Sequence, residues 1–76
     1  SRPDKLIEQT ELRQIIDEAI SSLPEKQRLA VVLRRYEKMP YEEIAETLGI
    51  SIPAVKSQLF RARTALRELL GRYLKE

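Results

Sequence analysis

The stretch Tyr41-Glu42-Glu43-Ile44-Ala45-Glu46-Thr47-Leu48-Gly49-Ile50-Ser51-Ile52-Pro53-Ala54-Val55-Lys56-Ser57-Gln58-Leu59-Phe60-Arg61 decides the fold. Ile44, Ala45 and Leu48 fall at the spacing of one apolar face of a short helix over about Tyr41 to Leu48. Glu42 and Glu43 lie in its first turn, where the helix dipole favours acids. Gly49 is a stop signal, since glycine adopts a left-handed conformation with no side-chain penalty. Ser51 is a natural N-cap for a second helix beginning near Ile52. Ala45 is small where that helix must pass close by, and Ile50 and Val55 can fill the angle between the two. This is the pattern of a helix-turn-helix. In that motif the second helix enters the major groove of DNA while the first crosses the backbone. Helical hairpins in structural or protein-binding domains can share the spacing.

Downstream, the second helix of the pair extends to about Leu70, with Gly71 as its expected end. Val55, Leu59, Ala62, Leu66 and Leu69 or Leu70 repeat along its inward side. Lys56, Phe60, Arg63 and Arg67 form one outward row, and Ser57, Arg61 and Thr64 lie beside it. Lys and Arg suit phosphate or the acceptor edge of guanine, and Gln58 suits adenine. Phe60 has three readings at this point: core packing, contact with a thymine methyl or sugar, or contact with a protein partner.

Upstream, two further helices are expected. One runs from about Gln9 to Ser22, with Leu6 and Ile7 pointing to an earlier start near Asp4. Its inward face is Leu12, Ile15, Ile16, Ala19, Ile20 and Leu23. The other runs from about Pro24 to Tyr36, with Leu29, Val32, Leu33 and Tyr36 as its stripe. Pro24 suits a first helical turn and Lys38-Met39-Pro40 a loop. The expected fold is therefore all-α: a compact four-helix domain containing a helix-turn-helix, with no winged element. Residues 1–8 are read as a flexible end or expression remnant, 9–71 as the domain and 72–76 as a tail.

Composition narrows the function. The chain has 76 residues, 42% hydrophobic and 34% charged, which suits one small folded domain. It has no His and no Cys, so the commonest general base, the thiol nucleophile and thiolate metal ligation are missing. No glycine-rich phosphate loop occurs, and Glu42, Glu43 and Glu46 read as dipole-complementing acids rather than a cation site. The expectation is a protein that is not an enzyme and carries no cofactor or metal. No apolar run is long enough to span a bilayer, so no membrane insertion is expected. The missing cysteines fit a cytoplasmic location. Net charge is only +2, but residues 56–76 hold six Lys/Arg against two Asp/Glu, while residues 1–55 hold eight against ten. A locally basic element on a near-neutral domain suits a polyanion.

The run Leu23-Pro24-Glu25-Lys26-Gln27-Arg28, then Tyr41 to Ala45, Leu48-Gly49, Val55-Lys56-Ser57 and Arg61-Ala62-Arg63, resembles region 4 of a bacterial sigma factor of the extracytoplasmic-function type. The resemblance covers about Leu12 to Leu70. It implies a domain that reads the minus-35 promoter element through its last helix in transcription initiation. It also implies docking on the flap of the RNA polymerase beta subunit, and a surface that an anti-sigma factor covers. Under it, Ser51 caps the recognition helix. Pro53, Ala54, Ser57 and Gln58 lie near bases or flanking backbone, and Lys56, Phe60, Arg61 and Arg63 make groove or phosphate contacts. Arg28 and Arg34 are weaker phosphate candidates.

The chain departs from that family at Pro40, where Ser or Thr is usual, at Pro53-Ala54, where Gly-Thr or Glu-Thr is frequent, and at Gln58, where Arg is favoured. These changes remove a side-chain cap, two polar groups and one positive charge. The promoter-melting half of a sigma factor is expected to precede residue 1, which makes the chain an excised domain. Two rival functions remain at this stage. One is a protein-interaction module with weak DNA reading, suggested by Leu66, Leu69, Leu70, Tyr73 and Leu74 near the end. The other is a freestanding regulator that dimerises through those residues.

Overall fold

Proline and glycine punctuate the chain into four helices, and the computed structural model places each of them. It describes residues 3–74, with side chains for 9–72. Helix α1 spans Pro3–Ser21, α2 Glu25–Arg35, α3 Tyr41–Leu48 and α4 Ile52–Leu74. Among the described residues there is no strand, so the all-α fold without a wing is what the chain adopts.

The core is built around α4, which packs against each of the other three helices. Val55 and Ala62 of α4, Ile44 of α3 and Ala30 of α2 are fully buried, and Leu59 nearly so. Ile20, Leu23, Val31 and Ala45 complete the cluster. Among the described residues no polar or charged side chain is buried. A core of this size has little redundancy: truncating Ile44 or Leu59 to alanine costs about 2–5 kcal/mol.

Two expectations from the sequence are corrected and one alternative is decided. Helix α1 begins at Pro3, in keeping with the earlier start near Asp4 rather than with a start at Gln9. Proline is well suited to a first helical position, where its missing N–H has no partner to lose. Helix α4 does not stop at Gly71 but continues to Leu74. Gly71 lacks a positive φ, so it sits in the helix at the ordinary penalty of about 1 kcal/mol relative to alanine. In α2 the buried residues are Ala30 and Val31, neither of which belonged to the expected stripe. Leu29, Val32 and Leu33 are half-buried. Tyr36 is 49% exposed, and its hydroxyl donates to Asp17 Oδ1 of α1 at 2.9 Å.

Leu12 is also exposed. Leu66 and Leu70 line a groove with Ile16 and Ile20, so the second half of α4 lies against α1. The side chains of Tyr73 and Leu74 lie outside the described residues.

Candidate nucleic-acid interface

The turn between α3 and α4 sets how α4 is presented. Gly49 ends α3 in the left-handed conformation, at φ 69 and ψ 36. The Ile50 N–H donates to the Ala45 carbonyl at 3.0 Å, and the Gly49 N–H to the Glu46 carbonyl at 3.3 Å. This pair of bonds is a Schellman closure, which satisfies carbonyls that a helix end otherwise leaves open. Ile50 packs against the core cluster to which Ala45 and Val55 belong. Two residues later Ser51 Oγ accepts from the Ala54 N–H at 3.2 Å, and the Ser51 carbonyl accepts from the Val55 N–H at 2.9 Å. Stop, plug and cap thus act together to launch α4 in one direction.

The entry to α3 is held differently. Pro40 offers no side-chain cap, as its chemistry requires. Its carbonyl accepts from the Glu43 and Ile44 N–H groups, both at 3.0 Å. Arg34 of α2 takes over part of the fastening: its Nη1 donates to the Met39 carbonyl at 2.8 Å, and its guanidinium lies over the Tyr41 ring. Arg28 Nη1 donates to the Leu23 carbonyl at 3.4 Å. Both arginines are therefore engaged with their own chain, although each keeps further N–H donors.

On α4, Val55, Leu59 and Ala62 point inward, and the opposite side faces solvent. Of the residues marked from the sequence, Ser51, Pro53, Lys56, Ser57, Phe60, Arg61 and Arg63 are exposed, while Ala54 and Gln58 are half-buried on the helix flank. Phe60 is 70% exposed, which overturns the core-packing reading of it. The exposed cations do not share one row. Lys56, Arg63 and Arg67 follow one flank and Arg61 the other, as 3.6 residues per turn dictates. Arg63 also borders the apolar groove formed by Ile16, Ile20, Val31 and Leu66, together with Arg34 and Arg35.

One feature was not expected from the sequence. Phe60 and Arg61 share a shallow surface depression with Pro24 and Gln27 at the start of α2. Nothing local signals that neighbourhood, because it depends on how α2 crosses α4. Ile52, whose place in the fourth helix suits an outward position, is exposed at the tip of α4, next to Pro53. Among the described residues no group of His, Cys, Asp or Glu is arranged to hold a metal ion. No helix among them is long and apolar enough to cross a membrane.

Comparison with known proteins agrees with this geometry. Residues 13–66 match the family described as Sigma-70, region 4, a segment that contains α2, α3 and most of the exposed face of α4. The chain is 44% identical over 66 residues to the ECF RNA polymerase sigma-E factor of Escherichia coli, covering 87% of this chain and 35% of that protein. The sigma-E factor of Salmonella typhi matches to the same extent. An ECF RNA polymerase sigma factor SigE of Mycolicibacterium smegmatis is 36% identical over 74 residues, covering 97% of this chain and 29% of that protein. The chain thus spans about a third of the length of the curated relatives it matches. With a helix-turn-helix of this geometry inside the matched segment, the chain belongs to the sigma-70 region 4 family, as a domain of the extracytoplasmic-function sigma factor type.

Proposed function

We propose that this chain is the promoter-reading end of an RNA polymerase sigma factor, and that α4 enters the major groove of the minus-35 element. The observation that carries the reading is the exposed side of α4. There Lys56, Arg61 and Arg63 flank an uncharged strip, on a helix held by the Ser51 cap and the Gly49 turn. In this role Lys56, Arg61 and Arg63 take phosphates or guanine acceptor edges. Pro53, Ala54, Ser57, Gln58 and Phe60 lie at or beside the bases. Because Gln58 is half-buried and uncharged, it contributes less phosphate attraction than the arginine common at that position in the family.

Selection of duplexes from a random pool by this chain tests the proposal. Convergence on one short motif is expected. A pool that stays random through successive rounds at low salt contradicts it.

A second reading is favoured by a separate observation and is compatible with the first. The groove of Ile16, Ile20, Val31, Leu59, Leu66 and Leu70 is apolar, and Arg34, Arg35 and Arg63 stand at its edge. It suits a protein partner, either the polymerase beta flap or an anti-sigma factor. Competition between such a partner and DNA for Arg63 is the corresponding test: a Kd for the partner unchanged by Arg63→Ala argues against it.

A further inference from the structure

The strip of α4 that faces away from the core is Pro53, Ser57, Phe60 and Thr64, separated by four, three and four residues. At 3.6 residues per turn these four fall within an arc of about 60°, nearly opposite the buried line of Val55, Leu59, Ala62 and Leu66. All four are exposed. Their chemistry is more apolar than the residue names suggest. Pro53 has neither a backbone N–H nor a polar side chain, so it offers a base or phosphate no donor. The next amide, that of Ala54, donates to Ser51 Oγ. The Thr64 hydroxyl donates to the Phe60 carbonyl at 3.0 Å, which satisfies its proton within the helix. Phe60 is a large apolar ring with 70% of its surface open. Only Ser57 brings an uncommitted kind of polar group to the strip, and one hydroxyl cannot form the bidentate pairs that distinguish guanine or adenine.

The cations stand to either side of this strip, Lys56, Arg63 and Arg67 along one flank and Arg61 along the other. A duplex that sets its phosphates on those flanks brings its base edges against the apolar strip. The apolar feature of the major groove is the C5-methyl group of thymine. We propose, resting on the promoter-reading role above, that this chain selects its site largely by thymine methyl groups packed on Pro53, Phe60 and the Thr64 methyl, and not by hydrogen-bond forks. The rise of α4 from Pro53 to Thr64 is about 16 Å, the length of about five base-pair steps. Glu68, one turn beyond Thr64 in the same row, ends the strip with a charge that repels phosphate.

The test uses the duplex selected from the random pool and the same duplex with thymines replaced one at a time by deoxyuridine, which removes only the methyl group. Each methyl packed on the strip is expected to weaken binding about fourfold when lost, as for one buried carbon. Phe60→Ala is expected to bind the thymine duplex less tightly and to ignore deoxyuridine at the position Phe60 covers. Equal affinity for thymine and deoxyuridine duplexes overturns the inference, as does a selected motif without thymine. Either result leaves the promoter-reading role standing if binding remains sequence-selective and salt-dependent. Failure to select any duplex removes that role itself.

Discussion

Arg34 Cζ lies over the ring of Tyr41, 4.9 Å from its centroid, while the same guanidinium donates to the Met39 carbonyl at 2.8 Å. One side chain of α2 thereby fastens both the loop that leads into α3 and the first residue of α3. The Pro40 carbonyl accepts from the Glu43 and Ile44 N–H groups, but Pro40 supplies no side-chain cap. This contact adds to the buried packing of α2 on α3 and α4, which orients the helix-turn-helix.

Arg34→Met is therefore expected to lower stability by about 1–2 kcal/mol, from the lost charge-assisted bond and cation–π contact. The urea midpoint measures it. Affinity for DNA should follow only as far as folding does. Unchanged stability with a weakened, less salt-sensitive DNA complex would instead make Arg34 a phosphate ligand.

Two backbone positions should respond in opposite senses. Gly49 has φ 69, and a Cβ there meets no atom within 4 Å, so Gly49→Ala carries only the left-handed penalty, about 1 kcal/mol. Lys38 has φ 58 without being glycine. Lys38→Gly is expected to stabilise by about 0.5–1 kcal/mol, part of the relief being offset by the freer unfolded chain. Thermal unfolding resolves both, since 1 kcal/mol moves the Tm of a domain this size by about 4–8 °C.

Arg61 and Phe60 project from α4 into solvent, so Arg61→Ala and Phe60→Ala should each leave stability within about 0.5 kcal/mol of the parent. Their effects on DNA should differ in kind. Arg61→Ala is expected to weaken binding to all sequences alike and to reduce the salt slope by about 1. Phe60→Ala should keep the slope and relax the sequence preference. Binding titrations on selected and scrambled duplexes separate these outcomes.

Leu70 is half-buried beside Ile16, Ile20 and Leu66. Leu70→Glu is expected to destabilise the domain by about 1–2 kcal/mol without unfolding it at room temperature. A urea midpoint equal to the parent's would assign Leu70 wholly to partner docking.

The helix-turn-helix was legible because its signals are local. Gly49, Ser51 and the Ile44, Ala45, Leu48 face each act within a turn or two of their own position. Helix α2 was harder to read, because it packs against all three other helices and its deepest residue is Ala30, whose small side chain barely registers in a periodic pattern. Gly71 misled because glycine ends a helix only where the chain takes up a left-handed turn, as at Gly49. Phe60 could not be resolved from the sequence, since an aromatic residue suits a core and a binding face equally. Its place depended on which side of α4 the other helices cover. The neighbourhood of Phe60 with Pro24 and Gln27 joins residues more than thirty positions apart. No sequence periodicity reports that.

In the proposed complex the cations on α4 meet DNA phosphates, and titration of the selected duplex with this chain at about 50 and 200 mM salt reads that contact. If Lys56, Arg61 and Arg63 each neutralise one phosphate, log affinity falls with log salt at a slope of about −2.7, a loss of about 40-fold over that range. An affinity that stays flat between the two salt concentrations means that these cations do not meet phosphate.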